Sequence, residues 1–169
     1  MNSEVRFHVW AAGSMLGLAA LQVALGSLMD IGGVIPAFLL IGVLFLSQLR
    51  GQLAAMLHGF PAGILVDLYA GELVGITALA LIIAGFAIGY TYDQERRERV
   101  IRSPRMVLLI AAGALLYHSV YVFSYIRSLD VDFLALLLAQ TIGGTVYTTI
   151  LGSILVLILA RTTRKIMVE

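Results

Sequence analysis

The side chains that could do chemistry in this chain are few, and they stand inside apolar segments. Asp67 is an acid within such a segment, and His58 and His118 are imidazoles in similar surroundings. His58 precedes Asp67 by nine residues, which at about 100° per residue places the two on opposite sides of a helix. We therefore expect no catalytic pair between them, and we expect His118 to be a hydrogen-bonded packing residue rather than a ligand.

The common catalytic and cofactor motifs do not occur in the sequence. It has no Gly-rich phosphate loop, no HExxH and no Ser, His and acid set that its organisation brings together. Its three histidines lack the spacing of metal ligands, and it has no cysteine. The basic residues have no interleaved aromatic side chains that could stack on bases. We expect no catalytic residue, no metal, no cofactor and no nucleic-acid partner.

The composition is that of an integral membrane protein. Hydrophobic residues make up 60% of the 169 residues and charged residues 12%, with a mean hydropathy of +0.99. A membrane-spanning helix needs about 20 mostly apolar residues, and Gly, Pro and charged residues divide the chain into six such runs. We predict an all-α bundle of six transmembrane helices in one domain, 1–169, with helices at about 7–28, 31–48, 53–70, 73–92, 105–125 and 133–160.

The basic residues predict the orientation of these helices. Five arginines stand in the longest connection: Arg96, Arg97, Arg99, Arg102 and Arg105. With six crossings and the N-terminus inside, all but one of the eleven basic residues face the cytoplasm, as the positive-inside rule expects. Five crossings would spread the basic loops over both faces. We therefore predict that both termini and the basic connection are cytoplasmic.

The basic connection has charges of both signs over residues 92–99. It can therefore continue the fourth helix beyond the membrane, before Pro104 starts the fifth. Its simplest role is to determine topology and to contact anionic lipid headgroups. A contact with a cytoplasmic protein is the alternative.

The third predicted helix carries glycines at helical spacing around an acid. Five residues recur at intervals of four: Gly59, Gly63, Asp67, Gly71 and Gly75. Residues at i and i+4 share a helix face, so we expect a groove that ends at a carboxyl group and continues across the turn. Pro61 is expected to kink this helix. Asp67 is either an interfacial or turn-capping acid, or an anchor that hydrogen-bonds neighbouring helices or a partner.

The sixth predicted helix has one face of small and polar residues. Four of them recur at every fourth position: Gln140, Gly144, Thr148 and Gly152. An apolar stripe runs along the opposite face: Ile142, Val146, Ile150 and Ile154. Small and polar residues line contacts between membrane helices. We interpret this face as a helix-packing surface, with the wall of a polar cavity or a docking face for another protein's helix as the alternatives.

A resemblance to a known family rests on the third and fourth predicted helices. Residues 59–79 read GFPAGILVDLYAGELVGITAL and are followed by Gly85, Gly89 and Tyr90. This segment resembles the signature region of the rod shape-determining protein MreD family, G-F-x-x-G-x-x-x-D-x-x-x-G-x-x-x-G-x-x-A-L, throughout. The chain length and the basic loop are also similar to that family. The signature positions are Gly59, Phe60, Pro61, Gly63, Asp67, Gly71 and Gly75.

The resemblance implies a non-catalytic component of the bacterial inner-membrane machinery that elongates the lateral cell wall, involved in cell shape and peptidoglycan synthesis. Its implied partners, beside membrane lipids, are the single-pass protein MreC and, through it or directly, RodA, a class B penicillin-binding transpeptidase and MreB. The implied mechanism is that of a scaffold whose glycine groove receives a partner's transmembrane helix. The signature residues can contact that partner or hold the fold.

The family also resembles, in its six-helix organisation, the substrate-binding component of energy-coupling-factor transporters. The alternative function is therefore a small-molecule or lipid-binding transport module, with the polar face of the sixth helix as a pocket wall. Asp67 and Gln140 are the side chains that could give it specificity. A lipid-modifying enzyme is a third hypothesis, which the missing pairs of ionisable groups disfavour.

Overall fold

The described part of the chain is built from helices. The computed structural model describes residues 3–26, 28–31, 33–71, 73–126 and 133–166. Its helices are α1 (Ser3–Gly26), α2 (Phe38–Arg50), α3 (Gln52–Ala70), α4 (Ile76–Gly89), α5 (Arg97–Ile101), α6 (Pro104–Ile126) and α7 (Phe133–Ile166). A single bridge between Ile31 and Val34 is the one extended pairing within these residues. The all-α prediction is confirmed.

Four of the helices in the described ranges are long and apolar enough to cross a membrane, namely α1, α3, α6 and α7. The other two apolar helices, α2 and α4, have 13 and 14 residues. At 1.5 Å per residue each is about 20 Å long, which is less than the hydrocarbon thickness of about 30 Å. The helices predicted at 31–48 and 73–92 begin later than expected, at Phe38 and Ile76.

The late start of α2 follows from the residues that precede it. Gly33 has a φ of 83°, which a right-handed helix does not accommodate. Its N–H donates to Oδ1 of Asp30 at 2.6 Å, which closes a tight turn. Pro36 then has no N–H to donate and disfavours the helical conformation at Ile35. Residues 28–37 therefore form a connection rather than the first turns of a helix.

Helix α2 lies at the centre of the bundle. It contacts all six other helices, and its side chains Leu40, Val43 and Leu44 are completely buried. The amide of Gln48, also buried, donates to the carbonyl of Ile88 at 2.9 Å and to the hydroxyl of Thr91 at 3.1 Å. These bonds satisfy polar groups at the end of α4 and join it to α2.

One end of the bundle, the basic end, holds the start of α1, the end of α2 and the connection 90–103. Arg50 pairs with Glu4 at 3.0 Å, and its guanidinium carbon lies 4.3 Å from the centre of the Phe7 ring. The opposite end, the Asp67 end, is formed by the connection 28–37 and the turn 71–75. Because α1 and α3 both run from the basic end to the Asp67 end, Arg6 also belongs to the basic end.

The basic connection does not continue α4, contrary to the sequence-based expectation. Helix α4 ends at Gly89, and the short helix α5 follows separately. Val100 and Ile101 of α5 are buried, and α5 contacts α2 and α6. Arg96 forms an exposed ion pair with Asp93 at 3.4 Å. The loop is thus held by apolar contacts while most of its arginines stay exposed: Arg96, Arg99, Arg102 and Arg105. Pro104 begins α6, as predicted.

Candidate functional site

Asp67 caps the beginning of α4. Its side chain is completely buried, and one carboxyl oxygen accepts the N–H of Gly75 at 2.7 Å. Both oxygens accept the N–H of Thr77 at 3.2 Å. The residue at the local N-cap position, Gly75, has no side chain that could accept these bonds. A carboxylate at a helix N-terminus satisfies unpaired donors and interacts favourably with the helix dipole.

The structure places the carboxyl of Asp67 inside the protein, where it joins the end of α3 to the start of α4. This geometry fits a turn-capping acid and also an anchor between neighbouring helices. His58 is also buried, but its hydrogen-bond partner is His8 and not Asp67. The two residues therefore do not form a pair, as the helical angle between them predicts.

The glycines beneath Asp67 pack against helices of the same chain. A Cβ atom added at Gly63 would lie 2.6 Å from the Cα of Ala78 in α4, and one added at Gly59 would lie 3.0 Å from a methyl group of Val43 in α2. In α4, a Cβ added at Gly89 would lie 2.8 Å from the Cα of Gln52 in α3. Since the contacts at Gly63 and Gly89 involve backbone atoms, only glycine allows α3 and α4 to approach so closely.

Gly71 and Gly75 have a different role. Both have positive φ angles, 69° and 103°, and no other residue lies within 4 Å of a Cβ added at either. Gly71 ends α3 in the left-handed conformation and Gly75 precedes α4. The expectation that they continue the groove into a fourth helix is wrong, because they form the turn between the two helices.

The signature region therefore separates into residues that hold the α3–α4 hairpin and residues that face outward. Glycine contacts, a capping acid and turn glycines hold the hairpin, and the groove expected to receive a partner's helix is filled by α4 and α2. Phe60 is 46% exposed and Pro61 is exposed as well. Helix α3 runs through Pro61 without interruption. These two are the signature residues on helix α3 that stay accessible to another molecule.

The start of α2 is also capped by side chains from other helices. The carbonyl oxygen of Gln22 in α1 accepts the N–H of Phe38 at 2.6 Å, and its amide donates to the carbonyl of Pro36 at 3.0 Å. Thr148 of α7 is completely buried, and its hydroxyl accepts the N–H of Ala37 at 3.1 Å. The short helices α2 and α4 therefore begin in the same way. Their first N–H groups donate hydrogen bonds to side chains of other helices. Backbone donors in a membrane interior need such partners.

The small and polar face of α7 serves mainly as a packing surface. A Cβ at Gly152 would lie 2.9 Å from side-chain atoms of Ile110, and one at Gly144 would collide with the His118 ring. Gln140, nearer the Asp67 end, donates to the carbonyl of Gly33 at 2.7 Å. The opposite stripe is exposed as predicted: Ile142, Val146, Ile150 and Ile154. Of the alternatives considered, packing fits Gly144, Thr148 and Gly152, and a cavity wall fits Gln140.

His118 is a hydrogen-bonded packing residue, as predicted. It is buried at 6% exposure, and its Nδ1 lies 2.8 Å from the carbonyl oxygen of Ala114. A carbonyl only accepts, so Nδ1 carries the proton and Nε2 is an acceptor. The neighbouring Tyr117 ring stands edge-on to the imidazole, and the Tyr117 and Tyr121 rings stack with centres 6.0 Å apart.

A cavity of about 690 Å³ opens at the Asp67 end of the bundle. Its walls come from the second half of α1, the connection 28–37, the ends of α3 and α6, the start of α4 and Gln140 of α7. Gln22, Thr77, His118 and Gln140 contribute polar groups. A second cavity of about 500 Å³ is almost entirely apolar and lies between α1, α2 and α7. Sequence reasoning did not identify Gln22 or Thr77, although a lone glutamine in an apolar helix is a usable signal.

Two histidines that the sequence keeps far apart meet near the basic end. Nδ1 of His8 lies 3.0 Å from Nε2 of His58, which joins α1 to α3. Within the residues that the structure describes, no three His, Cys, Asp or Glu side chains are grouped as metal ligands. The contact could not be found from sequence, because 50 residues separate the pair.

These features define an α-helical membrane protein in which buried polar side chains cap short central helices. A family model described as rod shape-determining protein MreD matches residues 1–167 of the chain. The chain therefore belongs to the MreD family, and its role is in rod shape determination. No curated protein and no solved structure shows a significant match to it.

Proposed function

We propose that this protein is a non-catalytic scaffold of the bacterial machinery that elongates the cell wall. The family match over 1–167 carries this proposal, since rod shape depends on that machinery. The fold is compatible with a scaffold: α3 and α4 approach at backbone distance and share a buried cap. A hairpin held in this way presents one fixed surface to other membrane helices.

The proposed partner is the transmembrane helix of MreC and, through it or directly, RodA, a class B penicillin-binding transpeptidase and MreB. Because Gly59 and Gly63 are occupied within the chain, we place the contact on the outer face of α3. There Leu57, Phe60 and Leu68 are exposed by 62%, 46% and 60%. Exposed apolar residues at helical spacing suit either lipid or another helix, and Phe60 is the member that belongs to the family signature.

We further propose that the chain crosses the inner membrane six times, with the basic end in the cytoplasm. Arg6, Arg50 and the arginines of the connection 90–103 share one end of the bundle, in agreement with the positive-inside rule. Helices α2 and α4 would cross together with the connections 28–37 and 71–75. Both termini would then be cytoplasmic, and the whole chain would act as one domain.

A small-molecule or lipid-binding transport module is the second candidate. The observation that favours it is the cavity of about 690 Å³, which lies within the range of ligand sites. The family match favours the scaffold, because shape determination does not require a transported solute.

Site-specific photocrosslinking tests the scaffold. A photoreactive phenylalanine analogue at position 60 should trap a single-pass partner, which mass spectrometry of the crosslinked product would identify. The same analogue at Leu108 is a control, because this residue is 70% exposed but lies on α6 rather than on α3. Depletion of the protein should turn rod-shaped cells round. Normal cell shape after deletion, together with a specific solute in the purified protein, would favour the transport module instead.

A further inference from the structure

We infer that the cavity at the Asp67 end binds a neutral sugar ring, either free or as the headgroup of a glycolipid. This inference stands apart from the scaffold role, because it rests on the lining of the cavity and needs no partner protein. The volume of about 690 Å³ is ample for one or two such rings.

The first argument concerns charge. Among the residues that the structure describes, the lining has no Asp, Glu, Lys or Arg, so these residues offer a charged ligand no opposite charge in return for its lost hydration. The carboxyl oxygens of Asp67 are bonded to the N–H groups of Gly75 and of the lining residue Thr77. This carboxyl lies directly behind Thr77 in the cavity wall and disfavours anions there. The helix N-terminus that could attract a phosphate is thus already occupied.

The second argument concerns hydrogen bonds. One lining residue uses its donor on the protein and leaves an acceptor. Gln140 donates through its amide nitrogen to Gly33 and retains its carbonyl oxygen. His118 does not offer an acceptor in this way, because its Nδ1 bonds to Ala114 and its Nε2 packs against Gly144 of α7. Thr77 adds a hydroxyl, which can donate or accept. A ligand that matches these groups must bring O–H donors of its own.

The third argument concerns the apolar part of the lining. The rings of Tyr69, Tyr117 and Tyr121 contribute to the cavity wall, and the last two are stacked. Sugar rings combine C–H faces that pack on aromatic rings with hydroxyl groups at their edges. The Gln22 side chain is not available to a ligand, because its amide group is hydrogen-bonded to the carbonyl of Pro36 and the N–H of Phe38. These bonds hold it in the cavity wall. A neutral ring with several hydroxyls fits this combination of surfaces.

Native mass spectrometry of the full-length protein in a detergent without sugar groups tests the inference. The probe is monogalactosyldiacylglycerol, and diacylglycerol with the same acyl chains is the control lipid. The glycolipid should be retained at least about tenfold more strongly, since buried hydrogen bonds of about 1.4 kcal/mol in total suffice for this factor. Displacement of the glycolipid by free galactose would identify the ring alone as the ligand. Retention that galactose does not reverse would identify the glycolipid.

Three variants test whether the glycolipid binds in the cavity at the Asp67 end. Ala70→Trp fills the cavity, and Leu68→Trp is its matched control on an exposed part of the same helix that does not line the cavity. Thr77→Val removes the hydroxyl but keeps the backbone N–H that Asp67 caps. Ala70→Trp should abolish the tenfold preference, Thr77→Val should reduce it severalfold and Leu68→Trp should preserve it. Equal retention of the two lipids by the unmodified protein, or equal behaviour of the two tryptophan variants, would overturn the inference.

Discussion

The carboxyl group of Asp67 binds the backbone N–H of Thr77 with both oxygens at 3.2 Å, ten residues along the chain. A second bond to the N–H of Gly75, at 2.7 Å, completes the contact. An acid at the end of one helix thus caps the start of the next across a turn. Three of the predictions below concern contacts that hold short helices inside the bundle.

Replacement of Asp67 should destabilise the protein. Asp67→Ala leaves the N–H groups of Gly75 and Thr77 buried without an acceptor, so the free energy of unfolding should fall by about 2–3 kcal/mol. Asp67→Asn keeps one acceptor oxygen and should have an intermediate effect. Thermal unfolding in detergent, followed by circular dichroism, measures the change. Asp93→Ala in the exposed loop is the control, and equal effects of Asp67→Ala and Asp93→Ala would contradict the capping role.

Gly63→Ala should also destabilise the protein. Its methyl group would lie 2.6 Å from the Cα of Ala78, so α3 and α4 would have to separate, at a cost of about 1–3 kcal/mol. Gly17→Ala is the matched control, because no residue lies within 4 Å of the added Cβ. Alanine there should leave stability unchanged or raise it by up to about 1 kcal/mol. The same unfolding measurement on both variants checks the sign, and a stabilised Gly63→Ala protein would contradict the contact.

The all-α class could be predicted from the sequence because apolar length is a local property. The starts of α2 and α4 could not, because each depends on bonds from distant residues. Gly33 and Pro36 are local signals against a helix before Phe38, but the bonds that fix the starts of α2 and α4 come from Gln22, Thr148 and Asp67. A side chain such as Gln22 determines one of these starts from another helix.

The candidate site could be predicted only in part, because residue spacing does not distinguish a helix from the turn that follows it. An interval of four residues is the same for a helix face and for a turn that follows it, so Gly71 and Gly75 resemble Gly59 and Gly63 in sequence. Only their φ angles separate the two roles. Helix α7 is continuous, so periodicity places Gly144, Thr148 and Gly152 on one face of it.

The cap that Thr148 provides for α2 can be tested by removing one hydroxyl. Thr148→Val leaves the buried N–H of Ala37 without its acceptor and should cost about 1–3 kcal/mol. Thr149→Val is the control, because that hydroxyl bonds only to the carbonyl of Thr145 in the same helix and its loss should change stability by less than about 0.5 kcal/mol. Unfolding curves of the two variants should differ clearly, and coincident curves would argue against the cap.

The proposed orientation can be tested by labelling, since the chain has no cysteine of its own. Leu73→Cys lies in the turn at the Asp67 end, and Asp93→Cys lies in the basic connection. A membrane-impermeant maleimide should label Leu73→Cys in spheroplasts, whereas Asp93→Cys should react only after the membrane is opened. The reverse pattern would place the basic end outside and remove the basis for the proposed topology.

The close approach of α3 and α4 has a consequence for biogenesis. The acid of Asp67 acquires its hydrogen-bond partners only when Gly75 and the first turn of α4 have been synthesised. Until then, a carboxyl group would enter the lipid phase without a donor, which is costly. Pairing of α3 with α4 therefore lowers the free-energy cost of placing Asp67 in the membrane.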